Sequence, residues 1–149
     1  MSDSKVSEIK KNLATVTLGS FQEPTFVNSL GRLTGHRFKD PRVTYKVMKL
    51  SESINKEMQV AQKTFIETLK SYAKLDNKGN FVPKDDKPGT YMIQDGKEKE
   101  WEETFKKFAK TEACLNRKKL SAEELAGFDL SAADMDSLKG VIDIEDFKE

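Results

Sequence analysis

Residues 41–75, PRVTYKVMKLSESINKEMQVAQKTFIETLKSYAKL, decide the fold. Apolar side chains recur at Val43, Val47, Leu50, Ile54, Met58, Ala61, Phe65, Leu69 and Tyr72, always three or four residues apart, which is the helical period. The spacing predicts one helix over 41–75, about 50 Å long at 1.5 Å per residue. Its mean period lies closer to 3.6 than to 3.5, which favours a nearly straight packed helix over a coiled coil. Its start is marked by Asp40 as N-cap and Pro41 at the first position. Its end is marked by the turn-forming run Asp76-Asn77-Lys78-Gly79-Asn80. A rod this long needs a partner along its length. Val47, Leu50, Ile54, Met58, Phe65, Leu69 and Tyr72 are the expected packing residues on its side.

Downstream, Trp101, Phe105, Phe108 and Leu115 fall on one face of a second helix predicted over 96–115, starting at Asp95 with Glu98 three residues on. Cys114 lies beside that face as a small core residue. Between the helices, Phe81-Val82 and Tyr91-Met92-Ile93 flank a run rich in turn formers, read as a small β-hairpin or ordered loop over 76–95. Helix, short insert and helix imply an antiparallel helical hairpin. Upstream, a short helix is expected over 24–34, with Pro24 in its first turn, an apolar face of Phe26, Val27, Leu30 and Leu33, and Gly35 ending it in a left-handed conformation. Residues 1–20 form an N-terminal arm. Val6, Ile9, Leu13 and Val16 suit an amphipathic helix, whereas Thr15-Val16-Thr17-Leu18 suits an extended segment. Beyond 120, Leu120-Ser121-Ala122-Glu123-Glu124-Leu125 is echoed by Leu130-Ser131-Ala132-Ala133-Asp134-Met135. This predicts two short Ser-capped helices separated by Gly127 within an acidic stretch 121–149, with Val141-Ile142-Asp143-Ile144 extended. The fold expected is mostly α, with 21–149 as one helical domain.

Composition bounds the function. The 149 residues are 36% hydrophobic and 34% charged, so much of the surface is solvated helix face and the core is thin. The net charge of +1 gives the whole molecule no strong pull toward nucleic acid or membrane. The lone Cys114 excludes an internal disulfide and fits a reducing compartment. No apolar run reaches the roughly 20 residues of a membrane span. The opening MSDSKVSEIKKN lacks the apolar core of a signal peptide. A cytoplasmic protein without membrane association is the expectation.

Chemical motifs are sparse. His36 and Cys114 are the single members of their kinds, and neither stands in a nucleophile pattern. The Asp76–Asn80 run resembles the start of a calcium loop, but Lys87 occupies the position where an acidic residue is required. Asp143, Glu145 and Asp146 are read as a solvated acidic tail rather than a metal site. Gly31-Arg32-Leu33-Thr34-Gly35-His36-Arg37 lacks the ending of a P-loop. No catalytic, cofactor-binding or metal-binding residue is assigned.

Charge is distributed unevenly. Arg32, Arg37, Lys39, Arg42, Lys46 and Lys49 form a basic stretch interrupted only by Asp40. Glu123, Glu124, Asp129, Asp134, Asp136, Asp143, Glu145, Asp146 and Glu149 dominate the C-terminus, opposed only by Lys139 and Lys148. The basic stretch could contact nucleic-acid phosphates, with Phe38 or Tyr45 stacking on bases. It could instead receive the acidic segment of the same chain or of a neighbour, giving assembly. The plainer alternative is that the two faces are solvated and merely offset each other.

The stretches YKVMKLSESINKEM, LDNKGNF, EWEETFKKFAKTE and LSAADMDSLKGVI together resemble the layout of small hypothetical proteins of tailed bacteriophages. That resemblance implies a helical hairpin and a viral setting, in the host cytoplasm or the virion, and carries no site residues. The reading is a non-enzymatic protein–protein interaction or assembly protein, a virion component or an inhibitor of a host system, with itself or other assembly subunits as partner. The alternative is a nucleic-acid-associated protein using residues 32–49.

Overall fold

The computed structural model describes residues 13–84 and 90–147. Val6, Ile9, Lys87, Lys148 and Glu149 lie outside the described residues, as does the side chain of Asp146. In chain order the elements are β1 (Leu13–Thr17), a 3-10 turn (Leu18–Gln22), α1 (Pro24–Gly35), α2 (Pro41–Leu69), α3 (Glu98–Lys110), β2 (Glu112–Lys118), α4 (Ala132–Ser137) and a 3-10 turn (Ile144–Phe147). The fold is mostly α, with one two-stranded antiparallel sheet among the described residues. No helix among them is long and apolar enough to cross a membrane.

The spine is α2. Asp40 caps it by accepting the Arg42 backbone N–H at 2.9 Å, and Pro41 follows at the first position. Val43, Val47, Leu50, Ile54, Ala61, Phe65 and Leu69 are buried, and Met58 and Tyr72 are half-buried. The helix ends at Leu69, six residues before the expected boundary. The chain turns through Lys70–Tyr72 because Ala73 and Leu75 leave to bridge Ile93 and Phe81. The apolar period runs on through Tyr72, so periodicity alone cannot mark that exit.

Two cores sit on this spine. Over the first half of α2, Val43, Val47, Leu50 and Ile54 pack with Phe26, Leu30 and Leu33 of α1. Ala14, Leu115, Leu120, Leu138, Val141 and Ile142 close the same core. Each fully buried aliphatic side chain there contributes roughly 1.5–3 kcal/mol. Over the second half, Phe65, Leu69 and Ala73 meet a largely aromatic set: Phe21, Phe81, Tyr91, Ile93, Trp101, Phe105 and Phe108. The cover of the stripe therefore changes along its length, from a mixed layer of α1, the sheet and C-terminal segments to an aromatic layer led by α3.

Several expectations are corrected. The predicted helix over 96–115 ends at Lys110, and Glu112–Lys118 is β2. Ala113 and Leu115 turn inward while Cys114 is exposed, the alternation of a strand. Leu115 is thus buried from a strand rather than from the aromatic helix face, and Cys114 is not a core residue. The partner that makes 112–118 a strand is β1, about one hundred residues earlier in the chain, so part of the expected N-terminal arm is sheet. Val16 pairs with Ala113 and Thr15 with Cys114, and the register then slips so that Leu13 faces Lys118. The slip is taken up at Asn116, which has φ 55, a conformation Asn tolerates in a bulge. Gly35 does not end α1 in a left-handed conformation; it stays helical, and His36 closes the helix with φ −76. Asp95 does not cap α3. Gly96 turns at φ 85, Glu98 accepts the Gly96 N–H, and Asp95 pairs with Lys74.

Among the described residues around 76–95, isolated antiparallel bridges join Leu75 with Phe81, Pro83 with Tyr91, and Ala73 with Ile93, and Met92 donates to the Val82 carbonyl. Asp76 accepts the N–H groups of Lys78 and Asn80, so its carboxylate stabilises its own turn. Of the two predicted C-terminal helices, only the second forms. Ser121 and Glu124 do exchange reciprocal capping bonds, but the chain makes turns and reverses at Gly127, φ 88, before a helix elongates. α4 keeps the full capping box of Ser131 and Asp134. The 141–144 stretch is extended only at its start, where Ile142 bridges Leu120 in parallel, and it then enters the last 3-10 turn.

Candidate functional site

The fold brings the basic stretch onto the acidic C-terminal segment. Arg32, in the last turn of α1, pairs with Asp134 in the first turn of α4. Lys46, one turn into α2, donates to both Glu124 oxygens at 2.7 and 2.8 Å, and to the Lys119 carbonyl. Arg42 folds back on Asp40, whose carboxyl it holds below the usual range. Lys49 lies 3.6 Å from Glu52 and 5.7 Å from the Tyr45 ring centroid. Arg37 and Lys39 are exposed, with no carboxylate within ion-pair distance among the described residues.

The two tertiary pairs differ in depth. Asp134 is 5% exposed. It accepts the Ser29 hydroxyl at 2.7 Å, the Ser131 N–H at 3.0 Å and the Arg32 guanidinium. Ser137 extends the network by donating to Ser29. The Ser29 hydroxyl first, then the Ser131 N–H, hold the Asp134 carboxyl far below the usual carboxylate range; burial opposes them and Arg32 adds to them. Glu124 is shallower. Burial acts to raise its pKa, but the bonds from Lys46 and Ser121 outweigh it and the net shift is downward. Its ionised form is thus bound more tightly folded than unfolded. That contribution is complete above about pH 4.3, the ordinary Glu value, and is lost as the pH falls through the lowered folded value. Lys46→Glu is expected to destabilise the protein by about 1–2 kcal/mol, with partial recovery in Lys46→Glu/Glu124→Lys. Urea denaturation at pH 7 of the two variants checks both.

A cleft of about 600 Å³ opens beside this contact. Its lining includes the apolar Phe38 and Val43, the cations Arg37 and Lys39, and Glu123. His36 is not the free loop histidine its position suggests. Its ring stands edge-on to Phe38 and Phe128, with centroids at 4.7 and 5.2 Å. The half-buried Phe38 is committed to this cluster, whereas Tyr45 is 64% exposed. The Cys114 thiol contacts Asn116 on β2. Among the described residues, no three His, Cys, Asp or Glu side chains gather as a metal site.

Of the expected packing residues, Trp101, Phe105 and Phe108 meet Phe65 with ring centroids 5.7, 5.8 and 6.3 Å away. Tyr72 lies 5.6 Å from Trp101. Outside the buried stripe, α2 carries Tyr45, Met48, Val60 and Ile66, all exposed. Reading for the buried stripe passes over these four, because they interrupt a charged face singly. No protein-family model, curated protein or solved structure matches this chain.

Proposed function

We propose that this is a non-enzymatic protein–protein interaction protein, an assembly component or an inhibitor of a host system. Its phage origin rests on the sequence resemblance. Its setting is then the host cytoplasm or the virion, and its partner is another copy or another assembly subunit. In this reading α2 and α3 are the arms of a helical hairpin, and the bridged segment after Tyr72 is its tip. The observation that carries the reading is the outward side of α2, where Tyr45, Met48, Val60 and Ile66 remain in solvent. From Tyr45 to Ile66 they span about 32 Å of helix. Met48 and Ile66, about five whole turns apart, fall on one line along this rigid element, and such a line fits a binding face. The competing nucleic-acid reading is weakened by the commitments of Arg32 and Lys46 to Asp134 and Glu124.

Light scattering on the purified chain tests this. The expected mass is a multiple of 16.9 kDa, returning to the single-chain value in Met48→Glu/Ile66→Glu, with no nucleic acid bound. A single-chain mass at all concentrations overturns self-assembly. DNA or RNA binding that falls steeply with salt, and is lost on charge reversal at Arg37 and Lys39, would establish the competing reading.

A further inference from the structure

The aromatic core over the second half of α2 is left open. α3 buries none of its residues fully, although Trp101, Phe105 and Phe108 all face Phe65. Phe65, Trp101 and Phe105 form a triangle of rings with centroids 5.7–5.8 Å apart. Tyr91 adds a fourth ring to the wall of a cleft of about 390 Å³. That volume lies in the range of about 300–1,000 Å³ typical of ligand sites. Two carboxylates, Glu98 and Glu102, stand on the same wall one helical turn apart, and among the described residues Lys84 is the one cation lining the cleft. Among the described residues Glu102 pairs with Lys106, at 3.5 Å across an exposed surface, and such pairs are weak enough for a ligand to displace.

An aromatic wall offers the negative faces of its rings, and carboxylates beside it add full negative charge. A neutral apolar group would use the rings alone, and an anion would be repelled by the glutamates. A cation carried on an apolar stem uses both. We infer that this cleft is a docking site for a lysine or arginine side chain in an apolar, basic segment of a partner protein. The inference rests on the protein-binding reading above and names the chemistry of the partner. It also assigns Glu102 a role that packing does not require, while Glu98, which accepts the Gly96 N–H through one oxygen, adds its charge to the same wall.

Trp101 is the only tryptophan, so its fluorescence reports on this cleft and nowhere else. The test is a titration of the intact protein with acetyl-Leu-Lys-Ile-Lys-Leu-amide, with its glutamine and glutamate counterparts as controls. The lysine peptide is expected to give a saturable change, the glutamine peptide to bind about tenfold more weakly, and the glutamate peptide not at all. Glu98→Gln/Glu102→Gln should weaken the lysine peptide about three- to tenfold. Lys84→Glu should tighten it, a gain that misfolding cannot produce. Equal responses to lysine and glutamine peptides, an unsaturable response, or unchanged affinity in Lys84→Glu would overturn the site. Light scattering separates the two readings. Assembly without a Trp101 response to the lysine peptide removes the cleft and leaves protein binding standing. A monomer that binds the lysine peptide removes self-assembly and supports the cleft.

Discussion

Asp134→Ala is expected to lower the stability of the fold by about 3 kcal/mol, with a range of about 2–5 for a buried, fully bonded carboxylate. The substitution strands the Ser29 hydroxyl and the Ser131 N–H, both bonded to this carboxylate at 3.0 Å or less, and releases Arg32. It also removes half of the reciprocal cap that starts α4, a loss of about 1 kcal/mol in itself. Because Ser29 belongs to α1 and Ser131 to the turn before α4, one residue undocks two elements at once. Asp134→Asn separates charge from shape. It keeps one acceptor oxygen for Ser29, loses the second acceptor, and presents a donor to Arg32. It should recover about 1 kcal/mol of the alanine loss and no more. Equilibrium urea denaturation of the three proteins at pH 7 checks both values, and an alanine variant within 0.5 kcal/mol of the parent would remove the network as a source of stability.

The same carboxylate sets an acid limit, and the sign follows from its direction of shift. Its folded pKa is depressed, so the folded state holds the ionised form more tightly than the unfolded chain does. The stabilisation is complete above about pH 4, the ordinary aspartate value, and drains away as the pH falls toward the lowered folded value. Stability of the parent should therefore drop steeply below about pH 4, and the drop should be shallower in Asp134→Asn, which has no carboxylate to protonate.

What was legible in the sequence follows from how local each feature is. The start of α2 is written in Asp40 and Pro41, and its buried side in residues three and four apart, so both are readable without the rest of the chain. The box that starts α4 is equally local, Ser131 and Asp134 being three residues apart. β2 is not readable in this way. Only Ala113 and Leu115 turn inward from it, too few to show a period of two, and helix-forming Glu, Ala and Leu fill the segment. What makes it a strand is β1, about one hundred residues earlier, whose hydrogen bonds override local preference. The failed helix at Ser121 makes the converse point. Its capping bonds form, but one turn before Gly127 cannot repay helix nucleation without a longer apolar face. Charge segregation between residues 32–49 and the C-terminus is visible in sequence, but its pairing is not. Asp134 reads locally as a helix-start acid, while Ser29 and Arg32, its other partners, come from more than one hundred residues away. The open aromatic cleft is less visible still, since its rings and charged groups come from α2, the bridged segment and α3.

Gly140→Ala tests how the C-terminal segment is held against the sheet, and should destabilise the protein by about 3 kcal/mol. The Gly140 carbonyl accepts the Thr15 N–H at 2.9 Å, on the edge of β1 that does not pair with β2. A methyl group at Gly140 would overlap the Thr15 carbonyl oxygen, a backbone atom with no rotamer to escape into. The strand and the segment must separate, opening the seam where Ala14, Val141 and Ile142 meet. The melting temperature should fall by roughly 6–12 °C. Amide exchange should quicken selectively at Thr15, because its bond crosses the seam. Gly19→Ala supplies the contrast. Its added methyl would meet the Ala109 Cβ at 2.7 Å, a side-chain atom that substitution can remove. Gly19→Ala/Ala109→Gly should therefore regain part of the loss, less about 1 kcal/mol for glycine near the end of α3. No side-chain change at Thr15 can rescue Gly140→Ala, because the obstructing oxygen belongs to the main chain. A Thr15→Gly/Gly140→Ala protein as stable as Thr15→Gly alone would show that the two backbones are not in contact and that β1 is held by β2 alone.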